Sequence, residues 1–306
     1  MPWTADDIPD LTARSAVVTG ANSGLGLQIA LALARSGASV TLAVRDTAKG
    51  EEAAARIEQE APGATPAVER LDLADLASVR SFADRWDGGL DLLVNNAGVM
   101  ALPRRLTKDG FEMHIGTNHL GHFALTGLLL PALLERPGAR VVTMSSGAHM
   151  YGRIRFGNLQ GERHYQRWLA YGQSKLANLL FAFELARRAA LAERELTSVA
   201  AHPGYAATNL QLQAGQMEEN RLKQLTWGFA NRVFAQSDAQ GALPALYAAT
   251  APDVTGGEYF GPDGMGGGRG YPTRAQATKT ARDPELAQRL WRVSEELTGV
   301  AYKIDM

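Results

Sequence analysis

The stretch VVTGANSGLGLQIALALA, residues 17–34, decides the fold class, because it joins a short β-branched run to a helical pattern through a glycine-rich turn. Gly20, Gly24 and Gly26 lie in that turn with the spacing G-x-x-x-G-x-G. Positions without side chains let an anion approach the free amides at a helix N-terminus. The stretch therefore predicts a strand, a turn and a helix that together bind a phosphate group.

The same alternation of apolar runs and helical patterns continues along the chain. Further strand patterns are SVTLAV (39–44), AVERLDL (67–73), LDLLVNNAG (90–98), ARVVTMSS (139–146) and LTSVAAHPG (196–204). Apolar strands separated by helices predict a parallel sheet with helices on both faces. We expect an α/β, doubly wound Rossmann-type sheet of about seven strands, which binds ligands at the carboxyl ends of its strands.

No repeat, low-complexity tract or linker divides the 306 residues. We therefore expect a single domain over residues 1–306. The glycine-rich segment 261–272 is predicted to be a surface loop, and DPELAQRLWRVSEELTG (283–299) a closing C-terminal helix.

Composition excludes several classes of function. A net charge of -1 provides no field that would gather nucleic acid. Without cysteine the chain can form no disulfide, thiolate metal site or cysteine nucleophile. Its six histidines include the pair His119 and His122, but no third ligand follows at zinc-site spacing, so we expect no metal.

The sequence also contains no recognisable targeting or membrane segment. The first residues lack the pattern of a signal peptide, and no apolar stretch approaches the roughly 18–20 residues that cross a bilayer. We expect a cytoplasmic protein with no membrane anchor. The absence of G-x-x-x-x-G-K-[ST] argues against an ATPase and leaves a dinucleotide as the leading ligand.

Six ordered motifs resemble those of the short-chain dehydrogenase/reductase family. They are TGANSGLG (19–26), NNAG (95–98), NHLGHF (118–123), SS (145–146), YGQSK (171–175) and HPG (202–204). The resemblance covers roughly residues 12–262. The stretch GRIRFGNLQGERHYQ (152–166) and the helix pattern after it are similar to the retinol dehydrogenase and protochlorophyllide reductase branch. The resemblance implies an enzyme that transfers hydride between a nicotinamide cofactor and a carbonyl or alcohol.

Tyr171 and Lys175 are the candidate acid/base pair. Carbonyl reduction needs a proton donor, and residues four apart lie on one face of a helix. An ammonium beside a phenol lowers the phenol's pKa, so we expect Lys175 to act on Tyr171 in this way. The resemblance further implies that Ser146 hydrogen-bonds the substrate oxygen, although Ser145 beside it leaves the choice open, and that Asn118 supports a proton-relay water near Lys175.

The resemblance also implies a set of cofactor contacts along the strand ends. These are Gly20, Asn22, Ser23, Gly24, Leu25, Gly26, Arg45, Asp72, Leu73, Asn95, Ala97, Gly98, Tyr171, Lys175, Pro203, Gly204 and Thr208.

Two patterns at the end of the second strand favour different dinucleotides. The ribose-binding acid of NAD-preferring relatives is replaced by Val44, and Arg45 follows it, which is typical of NADP-preferring relatives. Asp46, in contrast, lies at the distance from the glycine turn where an acid that binds ribose is expected. We favour NADP(H) over NAD(H), because the family match is the closer one.

Two segments are predicted to flank the substrate. Residues 151–168 form an insert that we expect beside the substrate pocket. Residues 209–236 contain Trp227, Phe229 and Phe234, which suggests either a lid over a bulky apolar substrate or an amphipathic surface helix.

The leading hypothesis is an NADP(H)-dependent oxidoreductase that interconverts a carbonyl and an alcohol. The alternatives are a non-catalytic NADP(H) sensor on the same fold and another Rossmann-like enzyme such as a methyltransferase. The sequence allows a monomer or a homodimer, the latter through the helix that bears Tyr171 and the one before it, by resemblance to the family.

Overall fold

A computed structural model describes residues 2–204 and 236–304. The predicted doubly wound sheet is confirmed, with eight strands in the order β3-β2-β1-β4-β5-β6-β7-β8. The first seven strands are parallel and β8 is antiparallel to β7. Their bounds are β1 Ser15–Thr19, β2 Ser39–Val44, β3 Ala67–Arg70, β4 Leu92–Asn95, β5 Ala139–Met144, β6 Leu196–Ala201, β7 Tyr259–Pro262 and β8 Pro272–Arg274.

The strand count exceeds the expected seven by one. The glycine-rich loop predicted at 261–272 turns back on itself, so that residues after it pair with β7 in the register Phe260 to Arg274. Three glycines in the loop adopt positive φ: Gly266, Gly267 and Gly270. The eighth strand therefore forms at the edge of the sheet.

Helices cover both faces of the sheet. Their bounds are α1 Gly24–Arg35, α2 Thr47–Glu60, α3 Leu76–Asp84, α4 Gly121–Leu128, α5 Leu130–Leu134, α6 Arg167–Leu191, α7 Asp238–Thr250 and α8 Pro284–Thr298. A π-helical segment, Ile115–Leu120, leads into α4, and short 3₁₀ turns occur at Ala5–Asp7, Gly147–Tyr151, Phe156–Asn158, Met265–Gly267 and Thr280–Arg282. None of the helices in the described ranges is long and apolar enough to span a membrane.

Two buried layers hold the helices against the sheet. On one face, α1 and α7 pack together over strand residues such as Val18 and Leu42. On the other face, α4, α6 and the C-terminal helix α8 pack together around Phe123, Phe181 and Trp291. The predicted closing helix is confirmed, and it lies directly against the helix that bears Tyr171.

The strand order reverses between β1 and β4. Strands β2 and β3 extend to one side of β1, and β4 to β7 extend to the other. The loops that follow β1 and β4 therefore run in opposite directions from the carboxyl ends of these two strands, and a crevice is left between the loops. The motif residues predicted from the sequence follow these strands.

Candidate active site

The glycine turn after β1 is shaped by backbone conformation and by lack of space. Gly20 and Gly24 have φ values of +66° and +57°, which residues with a side chain rarely adopt. A Cβ on Gly26 would lie 2.5 Å from both the Asn96 side chain and the carbonyl oxygen of Gly20. All three glycines are thus required by the turn that begins α1.

Ser23 is the N-cap of α1, yet its side chain makes no capping hydrogen bond. The first amides of a helix have no partner within the helix and attract anions. Asn22, Ser23 and Leu25 all line the adjoining cleft. The turn therefore presents the donors that a pyrophosphate group needs.

A cleft of about 1130 Å³ runs along the carboxyl ends of the strands. This volume exceeds the 300–1,000 Å³ of typical ligand pockets, so it can hold a dinucleotide together with a substrate. Most of the predicted cofactor residues line it: Gly20, Asn22, Ser23, Gly24, Leu25, Gly26, Arg45, Asp72, Leu73, Ala97, Gly98, Tyr171, Lys175, Pro203 and Gly204. Thr208 and residues 209–235 of the predicted lid lie outside the described residues.

Asn95 is not among the residues that line the cleft. Its side chain is 1% exposed and donates to the hydroxyl of Thr126 at 3.0 Å and to that of Thr143 at 3.5 Å. The structure thus places it inside the helix-sheet core rather than against a cofactor. The direct contact predicted for Asn95 is therefore not supported.

Asn96, which the sequence analysis did not single out, lines the cleft instead. The side-chain amide of Asn96 donates to the carbonyl oxygen of Thr19 at 2.8 Å, and its backbone amide donates to the Thr19 hydroxyl at 2.9 Å. These bonds join the end of β4 to the end of β1. Two adjacent asparagines at a strand end point to opposite sides, and only the burial of one strand face could have separated them.

Tyr171 and Ser146 are brought together at the end of β5. Ser146 caps the turn Gly147–Tyr151, and its hydroxyl lies close enough to the Tyr171 phenol to act on the phenol's pKa. Ser145 donates instead to the backbone carbonyl of Lys175 at 2.9 Å and is buried. Of the two serines, Ser146 is therefore the one placed beside the phenol.

Burial, not the ammonium, sets the protonation of Tyr171. Burial raises the pKa of this phenol to about 12, and the nearby Ser146 hydroxyl only partly opposes the rise. Lys175 Nζ lies 5.8 Å from the centre of the phenol ring and donates to the carbonyl oxygen of Met144 at 3.1 Å. The expected lowering of the Tyr171 pKa by Lys175 is thus outweighed in this arrangement.

Lys175 is itself perturbed. Burial lowers the pKa of its ammonium to about 8, because the charged form loses hydration. Its Nζ would lie 3.7 Å from a Cβ placed on Gly98, so the ammonium projects toward the loop after β4. A positive charge therefore stands within the cleft near Tyr171.

Asn118 lies in the π-helical segment next to this group. Its amide exchanges two hydrogen bonds with the backbone of Val99, at 2.7 and 2.9 Å, and donates to Ser174 Oγ at 2.9 Å. These bonds join the loop after β4 to α6. The role of Asn118 at a relay water stays a prediction.

The end of β2 forms the other part of the cleft. Arg45 is exposed there and lines the cleft together with Lys49. Asp46 caps α2 by accepting from the amide of Lys49 at 3.3 Å, and its carboxylate lies 3.8 Å from Lys49 Nζ. Asp72 accepts from the amide of Ala74 at 3.0 Å.

The histidines have structural partners. His119 meets the hydroxyl of Ser294 at 2.9 Å, and His122 contacts Thr19 Oγ1 at 2.9 Å and donates to the carbonyl of Asn118 at 3.0 Å. Burial lowers the pKa of His119 to about 3 and that of His122 to about 4, so both rings stay neutral. In the part of the chain that the structure describes, no group of three or more metal-ligating side chains occurs.

The insert 151–168 borders the cleft. Tyr151, Arg167 and Trp168 line its wall, and Met150 beside them is 68% exposed. Gln173 of α6 holds the insert, because its amide donates to the carbonyl of Leu159 at 3.1 Å and accepts from the amide of Arg155 at 3.0 Å.

Comparison with known proteins agrees with this geometry. The family model described as short chain dehydrogenase matches residues 14–219. Mouse retinol dehydrogenase 12 is 42% identical over 298 residues, which covers 96% of this chain and 89% of that protein. Human retinol dehydrogenase 11 and mouse polyprenol dehydrogenase are each 42% identical over 95% of this chain and cover 87% and 86% of their own lengths.

Solved structures agree as well. An uncharacterised protein from Mycobacterium paratuberculosis superposes with a TM-score of 0.82 at 46% identity and covers 99% of both chains. A structure from Beutenbergia cavernae, described as that of an NAD(P) dependent gluconate 5-dehydrogenase with NADP bound at low occupancy, has a TM-score of 0.61 at 27% identity and covers 79% of this chain and 91% of its own. The chain therefore belongs to the short-chain dehydrogenase/reductase family, in the branch that contains the retinol dehydrogenases.

Proposed function

We propose that this enzyme interconverts a carbonyl and an alcohol on a bulky apolar substrate, with NADP(H) as its cofactor and Tyr171 as the general acid and base. The observation that supports it most is the meeting of Tyr171, Ser146 and Lys175 in one cleft with an anion-binding helix N-terminus. Family membership supports the class of reaction.

The residues of the cleft fit a dinucleotide. The uncapped turn of α1 would hold the pyrophosphate, and a Cβ on Gly26 would disturb it. Asp72 and Leu73 would lie at the adenine, with Ala97, Gly98, Pro203 and Gly204 toward the other end. When bound, the reduced nicotinamide supplies the hydride that reaches the carbonyl carbon.

Tyr171 supplies the proton that completes the reduction. With a pKa raised to about 12 it is a neutral phenol at neutral pH, which is the state that can donate. It donates to the carbonyl oxygen as negative charge develops there, while Ser146 donates a second hydrogen bond to the same oxygen. The buried ammonium of Lys175 stabilises the phenolate that remains. In the oxidation direction the Tyr171 phenolate accepts the proton of the alcohol hydroxyl.

NADP(H) is favoured by the charges at the end of β2. Arg45 is exposed and lines the cleft, so its guanidinium is placed to bind a 2′-phosphate. Asp46, the acid of the competing hypothesis, is used in capping α2 and faces Lys49. The structure from Beutenbergia cavernae contains NADP, which is consistent with this choice.

The apolar substrate is favoured by the rim of the cleft. Met100, Met150, Tyr151 and Trp168 line the side nearest the insert. The relatives include enzymes named for retinol and polyprenol, both of them apolar alcohols.

A screen of aldehydes and ketones of increasing apolar length tests this proposal, with NADPH and NADH compared at each compound. We expect NADPH oxidation to be faster than NADH oxidation and kcat/KM to rise with chain length. Tight NADPH binding without turnover of any carbonyl or alcohol would favour the non-catalytic sensor instead.

A further inference from the structure

We propose that Tyr165, Glu112 and His114 form a positioning unit through which the insert 151–168 fixes the wall of the catalytic cleft and the ring of Tyr171. The proposal concerns residues to which the proposed function assigns no role, and its effect on turnover rests on that function.

Residues 98–102 are the wall loop, which follows β4 and lines the cleft from Gly98 to Ala101. Ala101 is buried with a φ of +51°, a conformation that a residue with a side chain keeps only when its surroundings enforce it. Two side chains from outside the loop hydrogen-bond the backbone of Leu102, which is the last residue of the loop. His114 Nε2 accepts from the amide of Leu102 at 3.1 Å, and the Tyr165 hydroxyl donates to its carbonyl at 2.8 Å.

These contacts define the protonation of His114. The amide of Leu102 can only donate, so Nε2 of His114 must have a free lone pair. The ring is therefore neutral, with its proton on Nδ1, and Nδ1 donates to Glu112 Oε1 at 2.7 Å. Glu112 in turn orients the ring that holds the wall loop.

Glu112 is a buried carboxylate with partners on both oxygens. Burial acts to raise the pKa of Glu112, but hydrogen bonds from His114 and from the amides of His114 and Ile115 outweigh it and keep the pKa below its usual value. The Ile115 amide donates to Oε2 at 3.0 Å, and the Tyr165 hydroxyl lies 3.2 Å from Oε1. Satisfied buried networks of this kind hold their members in one geometry.

The unit reaches Tyr171 directly. The ring of His114 meets the ring of Tyr171 nearly edge to face, with centroids 6.2 Å apart and an interplanar angle of 65°. The insert contributes a further bond, because the side chain of Gln160 accepts from the amide of Glu112 at 2.6 Å. A contiguous set of contacts thus runs from the insert to the phenol that donates the proton.

The test is Tyr165→Phe, which removes one buried hydroxyl and keeps the ring. Tyr271→Phe is the matched control, because Tyr271 lies in the edge loop before β8. In protein labelled with ¹³C at tyrosine Cζ, the Tyr171 resonance is assigned by its loss in Tyr171→Phe. We expect this resonance to move or broaden in Tyr165→Phe and in Glu112→Gln, and to stay in place in Tyr271→Phe. A Tyr171 resonance unchanged in both network variants would overturn the proposal.

Kinetics provide the second readout. We expect Tyr165→Phe to lower kcat roughly 10- to 100-fold with the Kd for NADPH unchanged, because sub-ångström misplacement of a reacting group costs rate rather than binding. The primary isotope effect with deuterated NADPH should rise, since hydride transfer becomes slower relative to other steps. Unchanged kcat and isotope effect would contradict the proposal. If the wild type turns over no carbonyl, the proposed function fails, while the resonance still decides the role of the network.

Discussion

The ammonium group of Lys175 is buried, away from the water that would solvate its charge. It is 5% exposed, and its Nζ donates to the carbonyl of Met144, which also accepts from Asn178 at 2.9 Å. An unfolded lysine keeps its proton up to a pKa of about 10.5, whereas in the fold burial lowers the pKa to about 8. The folded chain is therefore destabilised by the charge below pH 8, and this cost disappears as the pH rises from about 8 to about 10.5.

Replacing the ammonium should thus stabilise the protein while it removes activity. We expect Lys175→Met to raise the free energy of unfolding by on the order of 1–3 kcal/mol near neutral pH, because a buried charge is lost and Asn178 still satisfies Met144. Denaturant unfolding of both proteins near pH 7 and above pH 10 measures this increase in the free energy of unfolding, which should be smaller at the higher pH. A variant less stable than wild type near pH 7 would show that Lys175 holds the fold rather than straining it.

Arg45 should determine the choice of dinucleotide. We expect Arg45→Ala to weaken NADPH binding by roughly 10- to 100-fold, since a hydrogen bond to a charged group contributes about 1.5–3 kcal/mol. Binding of NADH, which lacks the 2′-phosphate, should change little. Fluorescence titration of both cofactors measures this.

Arg35→Ala is the control, because Arg35 pairs with Glu60 at the far end of α1. Equal weakening of NADPH and NADH by Arg45→Ala would show that Arg45 does not read the 2′-phosphate.

Pairs of adjacent residues show where sequence reasoning reaches its limit. The spacing of the motifs placed Tyr171 and Lys175 on one helix face, because helical geometry follows from sequence distance alone. It could not separate Ser145 from Ser146 or Asn95 from Asn96, since which side of a strand end is buried depends on the packing of α4 and α6. The pKa of Tyr171 likewise depends on burial, which no motif records.

At the scale of elements, α8 supports the helix of the catalytic pair. Trp291 stacks on Phe181 of α6 with centroids 5.8 Å apart and meets Phe123 of α4 edge to face at 5.1 Å. Arg188 lies 4.4 Å from the indole centre, and Tyr302 donates to the carbonyl of Phe123 at 2.6 Å. A homodimer through this face of α6, one of the two states expected from the sequence, would require α8 to move.

This aromatic cluster should contribute strongly to stability. We expect Trp291→Ala to lower the free energy of unfolding by about 3–5 kcal/mol, because a fully buried indole leaves a large cavity. Arg292→Ala, an exposed neighbour on the same helix, is the control and should change little. Thermal or denaturant unfolding compares the two, and a similar small loss in both would contradict a supporting role for α8.

Local pattern predicted most of these elements and missed others. The strands of β-branched residues and the C-terminal helix lay where expected, because their signals are local. Strand β8 has only three residues, and it pairs with β7 only because the chain turns back through three glycines with positive φ. Neither feature gives a strand pattern in the sequence. The contacts of the insert, such as Tyr165 with Leu102, join residues 63 positions apart and leave no local signal.

For the whole molecule, buried histidines predict sensitivity to acid. Burial lowers the pKa of His119 to about 3 and the pKa values of His122 and His202 to about 4. In the unfolded chain these rings take up protons below about pH 6.5. Stability should therefore fall as the pH drops from about 6.5 to about 4.

One substitution isolates this effect from that of the carboxylates. We expect His119→Gln, which can keep a hydrogen bond to Ser294, to make the loss of stability with falling pH shallower, by up to about 1.4 kcal/mol per pH unit. Denaturant unfolding over this pH range gives the slope. An identical slope in the two proteins would mean that His119 is not neutral in the fold.

The architecture followed from the first glycine turn, because parallel strands, right-handed crossovers and a reversal of strand order leave few alternatives. The substrate does not follow in this way, since it depends on side chains that meet across the cleft from distant parts of the chain. The cytoplasmic location stays a prediction from the sequence.

The most direct test of Tyr171 as the proton donor is to follow NADPH absorbance with an apolar aldehyde, comparing wild type with Tyr171→Phe, and to titrate NADPH into both. We predict rapid oxidation of NADPH by wild type, a loss of turnover of at least roughly 1,000-fold in Tyr171→Phe, and equal NADPH affinity in the two proteins. Turnover by Tyr171→Phe close to that of wild type would contradict the role of Tyr171 as the proton donor.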